Sequence, residues 1–244
     1  MDDNKQDFNI YPIKINEDKL NEVQKFPFDL PFCVCALGRV RAGKTLLANN
    51  LFLSNRFYKD DFDIKILISN TARNDAQNEF LLDEFDFIFE EYSEELLRHI
   101  LEDMIGEDQE NNRYLLVLDD IIGSVKQTKT GNVDNLSALI TKYRHISNAS
   151  GDEGKLSIFL TCQYFKYLSN TLRNNLSGLC LMGEFSKKEL YKISESYSYF
   201  GGSDNEFKKI YDKSKKEKYD FLFLDCKKLK AYRSFKECIY EHEN

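Results

Sequence analysis

Residues 38–45 read GRVRAGKT, a G-x-x-x-x-G-K-T spacing suited to holding phosphates. Glycines at its ends let a backbone curl until its N–H groups face phosphate oxygens. A lysine then reaches the outer phosphates, and a threonine hydroxyl joins the coordination of Mg²⁺. A helix starting there adds the positive end of its dipole. On this pattern Gly38, Arg39, Val40, Arg41, Ala42, Gly43, Lys44, Thr45 and Leu46 line a nucleoside triphosphate, with Lys44 as phosphate clamp and Thr45 as Mg²⁺ ligand.

Such a loop needs a carboxylate at the tip of a neighbouring strand. LLVLDD, residues 115–120, ends an apolar run in Asp119 and Asp120. Asp119 suits Mg²⁺, held through water, and Asp120 suits polarising the attacking water. A carboxylate beside the metal ligand separates repeatedly hydrolysing motors from switch-type GTPases, and motors of this kind use ATP. They also carry an extra strand between the two motifs, for which the runs at 63–69 and 86–91 leave room. SIFLTCQ, residues 157–163, ends in Thr161 and Gln163, polar groups placed to sense the γ-phosphate.

The elements that must position these residues are legible as alternating patterns. Apolar strand-like runs occupy 32–37, 63–69, 86–91, 113–120, 155–163, 177–183 and 219–226. Helical patterns fill 44–54, 93–105, 133–147, 187–197 and 204–213. Continuous apolar runs predict strands covered on both faces, and their alternation with helices predicts a mostly parallel sheet. The expected fold class is therefore α/β: a RecA-like P-loop NTPase of the additional-strand type. The prolines of PFDLPF (27–32) punctuate its start. Residues 1–28 read as an extended lead-in, 29–226 as the ATPase domain and 227–244 as a C-terminal tail.

The chain has 244 residues and a net charge of −7. That balance argues against a DNA-binding module with one basic face. Six cysteines include no C-x-x-C pair and three histidines are scattered, so no zinc pattern stands out. Cys33, Cys35, Cys162, Cys180 and Cys226 lie in or beside apolar runs and read as reduced core thiols of a reducing compartment. No apolar run approaches the ~18 residues that would span a bilayer. The acidic start, MDDNKQDFNI, does not read as a secretory signal.

Taken in order, the strand ending in DD, then YRH (143–145), TCQ (161–163) and LRNN (172–175) resemble the viral DNA-packaging ATPases of large DNA viruses and virophages, which belong to the FtsK–HerA superfamily. The resemblance spans 32–226, and TCQYFKYLSNTLRNN points most directly to the packaging group. It implies an ATP- and Mg²⁺-dependent translocase. The implied assembly is a pentameric or hexameric ring that moves double-stranded DNA, without regard to sequence, through a capsid or portal vertex. The implied setting is the host cytoplasm, the viral factory or the virion. It also implies an arginine reaching the γ-phosphate from a neighbouring subunit. Arg173 and Arg144 are the candidates across an interface, and Arg39 and Arg41 within one subunit; the sequence does not choose. The chain has Arg41-Ala42 before its GK, where many relatives have small residues, and Asp-Asp where much of the superfamily has Asp-Glu. Contact with DNA falls to Lys126 and Lys129 in 124–132 or to the lysines of 208–236. A helicase, a secretion or conjugation ATPase, and a non-hydrolysing nucleotide-binding scaffold are the other readings.

Overall fold

A computed structural model describes residues 27–71, 83–121, 135–147, 151 and 154–242. All seven apolar runs become strands: β1 Cys33–Leu37, β2 Ile64–Ser69, β3 Phe87–Phe89, β4 Tyr114–Asp119, β5 Leu156–Cys162, β6 Gly178–Met182 and β7 Phe221–Asp225. Two more, β8 Lys230–Arg233 and β9 Glu237–Glu241, lie in the stretch read as a tail. Their alternation is short and broken by lysines, so no apolar run marks them. Helices are α1 Lys44–Leu53, α2 Glu94–His99, α3 Asn135–Lys142, α4 Asn170–Asn175, α5 Lys187–Ser196 and α6 Asp204–Lys213. The expected helix at 133–147 ends early: α3 stops at Lys142 and Tyr143–His145 tightens into a 3₁₀ turn.

The strands form one nine-stranded sheet in the order β3-β2-β4-β5-β1-β6-β7-β8-β9. From β3 to β6 every pairing is parallel; β7, β8 and β9 add antiparallel. The strand lying between the phosphate-loop strand β1 and the acidic strand β4 is β5. This corrects the expectation that the runs at 63–69 and 86–91 supply it: β2 and β3 lie outside β4, and the inserted strand follows both motifs in sequence.

Side chains alternate across the sheet. From β1, Cys33, Cys35 and Leu37 pack with Leu97, Ile140, Leu172, Ile193 and Phe207 of α2–α6 on one face. Val34 and Ala36 pack on the other with Leu47, Leu51 and Phe52 of α1 and with Phe57, Tyr58 and Phe62. Both faces are thus dry, which is why the strands read as unbroken apolar runs. Phe28, at the end of the expected lead-in, is already core. No helix among the described residues is long and apolar enough to cross a membrane.

Candidate nucleotide site

Parallel strands bring their carboxyl ends to one edge, and the polar residues converge there. β1 runs into Gly38, whose N–H donates to the Cys162 carbonyl at 3.0 Å. That bond fastens the loop to the end of β5. A Cβ on Gly38 would meet the Met182 carbonyl at 2.5 Å and the Ala42 Cβ at 2.9 Å, so only glycine fits under β6. Ala42 N–H closes a turn on the Arg39 carbonyl at 3.1 Å. Arg41 and Gly43 are left-handed, with φ of 65° and 92°.

The start of α1 differs from its counterparts. Ser93, Ser169, Ser186 and Ser203 cap α2, α4, α5 and α6 with their hydroxyls. α1 begins on bare Gly43, with no side-chain cap and no acidic residue in its first turn. Its leading N–H groups are left for an anion, the fit a triphosphate cradle requires.

Lys44 is buried, with Nζ donating to the Gly38 carbonyl at 2.9 Å and the Arg39 carbonyl at 3.4 Å. The same Nζ stands 3.9 Å from Asp120 Oδ1. Asp119 Oδ1 accepts from Thr161 Oγ1 at 2.7 Å, and Oδ2 from Ser69 Oγ at 3.3 Å. Burial raises the Asp119 pKa above the ordinary carboxylate value; the Thr161 hydroxyl opposes this and the Asp120 charge reinforces it. Asp120 has φ 55°, its N–H donates to Thr161 Oγ1 at 2.8 Å, and Oδ2 accepts from Gln163 Nε2 at 3.0 Å. Thr161 therefore fixes both acids at once, donating to one and accepting from the backbone of the other. Thr45 is exposed on the first turn of α1. Thr45 and Asp119 would hold Mg²⁺, a hard cation that takes oxygen ligands and neutralises phosphate charge.

Lys44, Asp119, Asp120, Thr161 and Gln163 are thus brought together. Ser69 and Met182 also belong to the site and were not anticipated. Ser69 had a signal: it ends an apolar run, as Asp119 does, and lies in register with it. Met182 is a buried apolar residue among many and had none.

The arginines lie apart. Arg39 and Arg41 are exposed on the loop itself. Arg173 is tied to its own chain: its guanidinium lies 4.0 Å from the Phe165 ring centroid and donates to the Phe165 carbonyl at 3.1 Å and to Asn170 Oδ1 at 3.3 Å. Its buried Nε has no hydrogen-bond partner among the described residues. Arg144 is exposed on the 3₁₀ turn, where Nε donates to the Tyr143 hydroxyl at 3.1 Å. A Cβ on Gly154 would meet Pro31 Cγ at 3.4 Å and the Arg144 carbonyl at 3.7 Å, which puts this turn beside the residues leading into β1, at the strand end opposite the phosphate loop. Lys126 and Lys129 lie outside the described residues.

No protein-family model and no curated protein matches this chain. Solved structures do. The genome packaging NTPase B204 of Sulfolobus turreted icosahedral virus 2, in complex with AMP, superposes with a TM-score of 0.60 at 16% identity, covering 84% of this chain and 98% of that one. Its complex with ATP-gammaS gives 0.57 at 15% identity, covering 83% and 96%. B204, the DNA-packaging ATPase from Sulfolobus turreted icosahedral virus, gives 0.58 at 15% identity, covering 84% and 97%. At such identities the likeness is one of fold, and it runs through nearly the whole of those chains. The chain therefore has the P-loop ATPase fold in which a viral genome-packaging NTPase is built.

Proposed function

We propose that this protein is an ATP-hydrolysing motor that moves double-stranded DNA into a viral capsid. The observation that carries this reading is the convergence of Lys44, Asp119, Asp120, Thr161 and Gln163 on the glycine loop, at one edge of a sheet shared with B204. The loop amides and Lys44 bind the phosphates of ATP. Thr45 and Asp119 would hold Mg²⁺, which would offset charge on those phosphates. Asp120 takes the proton of the attacking water. Its partners leave it oriented and partly open to solvent, with the side chain 33% exposed. Gln163 links that carboxylate to the end of β5.

Hydrolysis in such motors is completed by an arginine from a neighbouring subunit. Arg144 is exposed and lies at the opposite strand end from its own phosphate loop, so it suits a partner's site in a pentameric or hexameric ring. Arg173, clamped on Phe165 two residues past Gln163, suits positioning of the Gln163 turn within its own chain. The motor would work in the host cytoplasm or viral factory, at the capsid or portal vertex.

The test is steady-state ATP turnover with and without long duplex DNA across a salt series. Turnover that rises with duplex and declines with salt is expected, because phosphate contacts release counterions. A protein that binds ATP but never turns it over would leave only a scaffold, and strand displacement would make it a helicase. Turnover indifferent to DNA would point to a motor for another cargo.

A further inference from the structure

The β5–α4 connection carries more than Gln163. Directly after it, Tyr164-Phe165-Lys166-Tyr167 turns once, as a 3₁₀ segment over Phe165–Tyr167. Phe165 points inward, 1% exposed, under the Arg173 guanidinium. Tyr164, Lys166 and Tyr167 are left facing out. Lys166 Nζ sits over both rings, 5.6 Å from the Tyr164 centroid and 5.0 Å from that of Tyr167. The rings meet edge to face at 5.6 Å. Two phenols thus hold one ammonium at the surface by its attraction to their faces.

This turn forms one wall of a groove of about 220 Å³. The other wall is the start of α5: Ser186, Lys188, Glu189 and Lys192. Lys188 and Lys192 are four residues apart, hence on the same helix face. Glu189, the acid of the groove, accepts the Phe165 N–H at 3.3 Å and so joins the two walls. None of Lys166, Lys188 and Lys192 has a carboxylate partner among the described residues, in a chain whose net charge is −7. Three lysines without a carboxylate partner thus meet at one groove, on a chain that as a whole would repel a polyanion.

We propose that Lys166, Lys188 and Lys192, with the hydroxyl edges of Tyr164 and Tyr167, form a contact for the phosphate backbone of duplex DNA, joined to catalysis through Gln163. This names the track for the motor proposed above and rests on that reading. Duplex is favoured over single strand because one face of each tyrosine ring is covered by Lys166, leaving less surface on which an unpaired base could stack. The coupling is covalent and short. Gln163 holds Asp120 Oδ2, and the next residues form the groove wall, which Arg173 holds through the Phe165 carbonyl and Glu189 through the Phe165 N–H.

Binding of a fluorescently labelled duplex to the full chain, without nucleotide and across a salt series, tests the contact apart from hydrolysis. The combined variant Lys166→Ala/Lys188→Ala/Lys192→Ala should lose at least tenfold in affinity at low salt. Its log–log salt slope should shrink by about 2.7, at about 0.9 per phosphate contact. The combined Lys→Arg variant should recover the binding, which separates lost charge from lost folding. Wild-type protein that ignores duplex, prefers the single strand of the same sequence, or binds unchanged after the alanine substitutions overturns the proposal. Turnover with duplex divided by turnover without it should fall towards one in the alanine variant. If the lysines govern binding while wild-type turnover ignores DNA, the contact stands and the motor reading falls.

Discussion

The two ends of the central strands are both polar and buried, yet they are built on opposite principles. At the amino ends, side chains answer backbone groups. Ser157 Oγ accepts the Phe32 N–H, and Ser177 Oγ both accepts the Cys33 N–H at 2.9 Å and donates to the Cys33 carbonyl at 3.0 Å. The Tyr58 hydroxyl does the same for Phe28. The partners in these bonds are uncharged side chains, and each bond offsets the burial of a group that would otherwise be unsatisfied. At the carboxyl ends, side chains answer one another. Two carboxylates and a lysine crowd around Thr161, and Asp120 holds a left-handed backbone. One end secures the strands; the other tolerates buried charge and strain in the service of chemistry.

Substitutions at the two ends should therefore separate turnover from stability. Lys44→Ala should have the largest effect, weakening ATP binding and abolishing turnover while the protein still melts cooperatively; ordinary turnover would refute the phosphate-loop assignment. Asp120→Asn should bind ATP but hydrolyse it about 10²–10⁴ times more slowly, the range expected for losing a general base. Single-turnover kinetics would show it, and an unchanged rate would move the base elsewhere. Ser177→Ala, at the amino end, should cost about 1–3 kcal/mol in denaturant unfolding by leaving the Cys33 N–H without its partner. ATP turnover per folded molecule should stay close to wild type, and a selective loss of turnover would erase the contrast between the ends.

The smallest effect on stability has the opposite sign. Asp119→Asn should raise the melting temperature while removing Mg²⁺-dependent turnover. The folded Asp119 pKa lies above its ordinary value of 3.8, chiefly through burial, so the folded state holds this proton more tightly than the unfolded chain. Its contribution to stability is full below the ordinary value and is lost as pH climbs through the raised one. The melting temperature of the Asn variant relative to wild type should thus increase with pH over that window. A difference that stays flat would mean that Thr161 and Ser69 already compensate for the burial.

The sequence by itself determined the phosphate loop, the acid pair, Thr161 and Gln163, and it located the seven strands as apolar runs. Those features are local. A glycine spacing, an apolar strand capped by acid and a two-sided hydrophobic run are each written within a few neighbouring residues. The structure alone decided which strand lies between β1 and β4, because strand order depends on how crossovers pack and not on the order of the runs. It also decided that Ser69 from β2 and Met182 from β6 close the site: the strand-end place of Ser69 was a signal, but only pairing with β4 set it beside Asp119, and Met182 had no signal at all. The pair β8 and β9 joined the sheet through backbone pairing with β7, a gain that needs no apolar run to signal it. The arginines show the same division. Their side chains reach far from their Cα atoms, so only packing could place Arg173 on Phe165 and the turn carrying Arg144 at the far end of β1.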